Sequence, residues 1–146
     1  MASHDTALAI PGQMRVVVVT PRREVARQDV TSITAAGANG EVQILPGHIP
    51  YLALLRTGVL VLETASGRHV WAHGPGLLEV GAHGHVEVLV EQVAEAGEID
   101  PDAARAELAA VEAELKQVEV AVGATWQNLD ARRAWALAQL DAASRA

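Results

Sequence analysis

The chain has 146 residues, half of them apolar, enough for one packed domain or for a small domain with an appendage. Its 18 acids outnumber its 11 bases, giving a formal net charge of -7, and aromatics make up only 3%. That balance excludes a nucleic-acid grip built on clustered Lys and Arg or on base stacking, and the absence of cysteine excludes disulfides, thiolate metal sites and Cys nucleophiles together.

The longest apolar runs, Val16 to Val19 and Tyr51 to Leu55, are far shorter than the ~20 residues of a bilayer-spanning helix, so direct membrane insertion is not expected. Residues 1–13 lack the basic start and apolar stretch of a signal peptide and read as a flexible N-terminal arm.

Residues 14–97 read as short strands. Arg15 to Thr20 is β-branched and ends at a Pro21-Arg22 turn. Val30 to Ala36 forms a second run, and Asn39-Gly40 predicts a hairpin because both residues tolerate positive φ. Glu41 to Leu45 follows. Pro46-Gly47-His48-Ile49-Pro50 is not strand, since two prolines remove two ladder donors. Gly58 to Thr64 is apolar on both faces and predicts a strand covered on both sides. Arg68 to His73, Leu77 to Val80 and His85 to Val90 complete the set, the last two pairing across Gly81 and Gly84. Short strands punctuated by Gly and Pro, with no helical crossover between them, predict an antiparallel β-sandwich or barrel.

Residues 98–146 change period. Asp100 is a predicted N-cap with Pro101 at the first helical position. Ala104, Leu108, Val111, Leu115, Val118 and Val122 alternate by four and three, the spacing of a helix–helix seam. Gly123 breaks the helix, and a second is expected over 125–144, with Trp126, Leu129, Ala136 or Leu137, and Leu140 as its seam and Arg133 interrupting it. The short break predicts an antiparallel helical hairpin. Trp135 lies on the other face with Ala131, Ala138 and Ala142, and either packs on the β-domain or stands out as a partner anchor. The interruption at Arg133 makes the second helix the less securely held of the two, and Arg132-Arg133 is a candidate contact for an acidic partner.

The residues offer little chemistry. His69, His73, His83 and His85 with Glu79 and Glu87 are the only metal-ligating set, and no convergent cage is evident. There is no G-x-S-x-G and no Walker loop. The segment Gly40 to Pro50 stands apart: a constrained loop with a charged entry, Glu41, and His48 at its centre, the kind of loop that carries binding on a stiff scaffold.

Gly40-Glu41-Val42-Gln43-Ile44-Leu45-Pro46-Gly47-His48-Ile49-Pro50 resembles a signature of the epsilon subunits of F-type ATP synthases. The turn within Val17 to Arg27, the strand start Thr57-Gly58-Val59-Leu60 and Gly74-Pro75-Gly76-Leu77-Leu78-Glu79-Val80 resemble further motifs of that family in the same order, over residues 14–146. The resemblance implies a ten-stranded sandwich and a two-helix hairpin in a non-catalytic rotor subunit that couples a proton-driven ring of c subunits to the gamma subunit. It implies a c-ring contact at Glu41 and a gamma contact at Pro46, Gly47 and His48. In an extended, hydrolysis-inhibiting state, the hairpin would meet the catalytic beta and alpha subunits through Arg132 and Arg133. It places the chain at the cytoplasmic face of a bacterial inner membrane, as a peripheral part of the complex.

Some members bind ATP at the hairpin, and Asp102, Arg105 and Ala106 match part of that motif. Pro101 replaces its aliphatic residue, and Glu112 stands where a further arginine is expected. No resident cofactor is therefore expected, and regulatory ATP is disfavoured. Two other readings of the residues stay open: a small metal-dependent β-barrel enzyme using the histidines, and a generic coiled-coil adaptor.

Overall fold

The computed structural model describes residues 11–119 and 123–146. Strands β1 (Met14–Val19), β2 (Glu24–Val30), β3 (Ser32–Gly37), β4 (Gly40–Ile44), β5 (Tyr51–Leu55), β6 (Gly58–Thr64), β7 (Gly67–His73), β8 (Gly76–Val80), β9 (His85–Val90) and β10 (Val93–Glu95) precede helices α1 (Pro101–Leu115) and α2 (Ala124–Ser144). The strands form one curled sheet in the order β10-β7-β6-β3-β5-β8-β9-β1-β2, with β4 also paired to β3. The expected sandwich followed by two helices is the fold observed. Most of the expected arm, residues 1–10, lies outside the described residues.

Three strands go beyond the sequence reading. β2 (EVARQDV) is a terminal strand of the sheet with polar side chains, so apolar alternation does not mark it. β5 is apolar on both faces, and β10 has only three residues. The run Val30 to Ala36 is split at Thr31, whose N–H leaves the β2 ladder for the carbonyl of Glu63 at 2.8 Å. All neighbours pair antiparallel except β1 and β9, which run parallel from Arg15 opposite His85 to Val19 opposite Leu89. No crossover helix is needed, because seven intervening strands return the chain to that position.

The sheet curls around a core in which Met14, Ile33, Ile44, Leu60, Leu62 and Leu78 are fully buried. β6 is covered on both sides, as its sequence predicts. Leu60 and Leu62 face this core, while Val59 and Val61 face outward with Val70, Ala72 and Ala96 under Ala138 and Ala142 of α2. Trp135 packs there too, so it is a domain-docking residue and not an exposed anchor.

Asp100 caps α1, accepting the N–H groups of Asp102 (3.0 Å) and Ala103 (3.3 Å). α1 ends at Leu115, short of Val118, and Val122 lies outside the described residues. Ala104 and Val111 of α1 and Leu129 and Ala136 of α2 are buried along the expected seams. Arg133 does not interrupt the seam: it is exposed and lies 3.7 Å from Glu112. Helix α2, not α1, supplies the buried contacts with the sandwich, so the second helix is the better anchored of the two, opposite to the expectation from Arg133.

Candidate docking surface

The β3–β4 hairpin forms where predicted, with a different loop. Its two loop residues are Ala38 and Asn39, and Gly40 alone takes the positive φ, at 131°. Gly37 must be glycine because a Cβ there would press on the carbonyl oxygen of Gly40. The hairpin sets Glu41 opposite Ala36 with its side chain exposed. Glu41 lines a depression of about 340 Å³ together with Asn39, Tyr51, Leu52 and Leu54, so it sits beside β5.

After β4 the chain turns at Leu45-Pro46-Gly47-His48. His48 donates its N–H to the Leu45 carbonyl at 3.1 Å, and Gly47 takes φ 87°, the positive φ that a type II turn requires at that position. His48 is exposed. Its Nδ1 donates to the Ile49 carbonyl at 2.7 Å, and its ring lies 5.4 Å from that of Tyr51. The loop is thus ordered by local bonds.

The apolar surface around this loop is what the sequence reading missed. Ile49 is 74% exposed, Leu54 64%, Leu52 59% and Leu45 50%. On β5, Leu52 and Leu54 point away from the core while Ala53 and Leu55 point into it. The outward row continues across the sheet, Leu54 opposite Leu77, Leu77 opposite Leu89, and Leu89 opposite Val19. This face carries no helix; α2 covers the opposite layer. A signal existed in the sequence, since a five-residue strand apolar at every position must expose one face unless a second layer covers it.

The other candidates separate. His73 is fully buried: its Nδ1 donates to the Gly74 carbonyl at 2.9 Å, and its Nε2 accepts the Ala36 N–H at 3.3 Å. Burial, then the nearby Arg56 charge, hold its pKa below the usual 6.5, against the opposing pull of the Gly74 carbonyl. It is a neutral clamp at the point where β3 leaves β6. His69 stacks on Trp71, and His83 is exposed at φ 60° in a turn. Among the described residues no group of three or more His, Asp or Glu is arranged to hold a metal.

Asp102 holds Arg105 at 2.8 Å on the solvent face of α1, and Ala106 is exposed beside them. Arg132 donates to Glu107 (2.8 Å) and Glu114 (3.0 Å), interactions that raise its pKa, so both members of the Arg132-Arg133 pair engage α1 within the hairpin.

A sandwich with a constrained loop, a bare apolar face and a helical appendage defines a protein that works by docking. Residues 13–96 match the family model described as the ATP synthase Delta/Epsilon chain beta-sandwich domain. The ATP synthase epsilon chain of Citrifermentans bemidjiense is 41% identical over 104 residues, 71% of this chain and 75% of that one. The ATP synthase epsilon chain 2 of Syntrophotalea carbinolica is 32% identical over 133 residues, 91% and 95% of the two chains. The chain belongs to the epsilon family of F-type ATP synthases and is a non-catalytic subunit of the rotor stalk. In fold it is similar to a chain of the Euglena gracilis mitochondrial ATP synthase OSCP/F1/c-ring structure, with a TM-score of 0.79 and 22% identity over 97% of this chain and 87% of that one.

Proposed function

We propose that this subunit joins the ring of c subunits to a gamma-type stalk subunit through two surfaces of its sandwich. The gamma subunit takes the bare face of Leu52, Leu54 and Leu89 with the Pro46-Gly47-His48 turn, and polar loops of the ring take Glu41. One observation carries this reading: exposed apolar side chains are concentrated between Leu45 and Leu54, beside an ordered turn and one carboxylate. Apolar residues at that density on one face are stabilised by a partner. The reading also includes a peripheral position at the cytoplasmic face of a bacterial inner membrane and a proton-driven ring. No described helix is long and apolar enough to cross a membrane, which supports the peripheral position.

The hairpin has a regulatory part in this reading. It leaves the sandwich and extends toward the catalytic beta and alpha subunits, where Arg132 and Arg133 exchange Glu107, Glu114 and Glu112 for acids of those subunits and slow ATP hydrolysis. Exchange between like partners needs little net energy. The chain needs no cofactor for either role: Asp102 and Arg105 already satisfy each other, and Glu112 meets Arg133.

The test is co-purification with the gamma-type subunit. Leu52→Asp with Leu54→Asp should abolish it while the folded signal stays intact, because both side chains are exposed. Retained binding refutes the face. Removing residues 124–146 should raise ATP hydrolysis by the assembled complex; unchanged hydrolysis leaves only the coupling role.

A further inference from the structure

The arginines of this chain form two sets. Arg15, Arg27, Arg68, Arg105, Arg132, Arg133 and Arg145 each meet a carboxylate. Arg22, Arg23 and Arg56 are exposed and form no ion pair with a carboxylate of a described residue; the Arg56 guanidinium donates to the Thr57 carbonyl at 3.2 Å. In a chain of net charge -7 acids are plentiful, so three unneutralised guanidiniums in one region mark a place where the charge is kept for something else.

That region is one end of the sandwich. Arg22 and Arg23 line a depression of about 410 Å³ with Thr20, Glu91 and Gln92. The Gln92 carbonyl accepts the Gly74 N–H at 2.9 Å, and the neighbouring His73 holds the N–H of Ala36. The Ala36 carbonyl accepts the N–H of Arg56 at 3.0 Å, and Ala36 stands opposite Glu41. The rim therefore runs from the 20–23 turn past Arg56 to Glu41. Its basic end is held in place. The Thr20 and Arg23 backbones bond to each other in both directions, at 2.9 and 3.2 Å, and Thr20 Oγ1 accepts the Arg22 N–H at 3.4 Å. Side chains on an ordered turn lose less entropy on binding than side chains on a loose one.

We propose that Arg22 and Arg23, supported by Arg56, take carboxylates of the same ring loops that Glu41 contacts, making the rim a docking edge of two signs. This rests on the ring contact proposed above. An anionic membrane surface is the poorer fit, because it would repel Glu41 and Glu91 on the same rim. Protein loops carry both signs and satisfy both ends, and such complementarity fixes the register of a complex.

The experiment measures binding of the full-length chain, with its gamma-type partner, to detergent-purified c-ring over a range of salt concentrations. Arg22→Ala with Arg23→Ala should weaken ring binding about tenfold and flatten its salt dependence, with gamma binding unchanged. Arg22→Lys with Arg23→Lys should fall between, because the ammonium lacks the carboxylate-matching fork. If the unaltered chain does not bind the ring, the ring contact itself fails and the proposal with it. If it binds, and the double Ala variant matches it in affinity and salt dependence while Glu41→Ala does not, the contact stands and the arginine proposal is overturned. Arginine-dependent binding to phosphatidylglycerol vesicles, with ring binding unaffected, overturns it in favour of a membrane surface.

Discussion

The sandwich and the hairpin are both folded, but different side chains hold them. The sandwich core buries Ile33, Ile44, Leu60, Leu62 and Leu78 completely, large aliphatics drawn from strands far apart in sequence. The hairpin lies on the sandwich through Ala138, Ala142 and part of Trp135, and its helices meet through Ala104, Val111, Leu129 and Ala136 with exposed ion pairs alongside. On the hairpin side this contact is made mostly by alanines, and its cluster holds fewer buried residues than the sandwich core, so it is the weaker of the two. The release of the hairpin proposed above would draw on this inequality, since the weaker contact can open while the sandwich keeps its shape.

Leu60→Ala, in the inner core, should cost about 2–5 kcal/mol and lower the denaturation midpoint of the sandwich and hairpin together. A loss confined to the hairpin would mean that the two regions unfold in the reverse order. Trp135→Ala removes the largest side chain among the described residues of the docking cluster and should cost on the order of 1–3 kcal/mol. In hydrogen exchange, the amides of α2 should then speed up while those of β1 and β9 do not. Equal acceleration everywhere would refute a separable hairpin.

Acid acts on the sandwich through His73. His73 is held neutral in the fold, so the unfolded chain binds more protons below its ordinary pKa of 6.5. The sandwich should lose stability as pH falls through 6.5 and continue losing it until the folded pKa, depressed mainly by burial, is reached. His73→Gln should flatten that slope in chemical denaturation at a series of pH values; an unchanged slope would assign it to other groups. The smallest effects belong to the surface. Arg132→Ala should loosen the pairing of α1 with α2 at low ionic strength and make no difference near ~1 M salt, where exposed charges are screened within ~3 Å. Glu41→Ala should leave thermal stability within about 0.5 kcal/mol while weakening the coupling of ring rotation to ATP synthesis.

The strands and helices announced by strong local signals were legible in the sequence: the β-branched β1, the two-faced β6, the β8–β9 hairpin, and the Asp100 cap of α1. Polar β2 and three-residue β10 were not, since their pairing comes from neighbours and not from their own periodicity. The order of motifs made the family legible as well. The site was legible only in part. Glu41 and the Pro46-Gly47-His48 turn sit on a short constrained segment that sequence can flag, whereas the apolar row Leu54-Leu77-Leu89-Val19 exists only once four strands pair in register. Arg133 follows the same rule: a seam position counted along one helix does not say how that helix rotates against its partner helix, where Glu112 meets the guanidinium.

The parallel pairing of β1 with β9 has a consequence for how the chain reaches its fold. Arg15 must find His85, and Val18 must find Val88, seventy positions along the chain. Contacts of such separation form slowly, because chain entropy is lost before they repay it. During synthesis β1 has only β2 beside it until residue 90 has left the ribosome, and its other edge waits unpaired. A nascent chain stalled short of β9 therefore presents an open strand edge with apolar side chains, the state most exposed to aggregation.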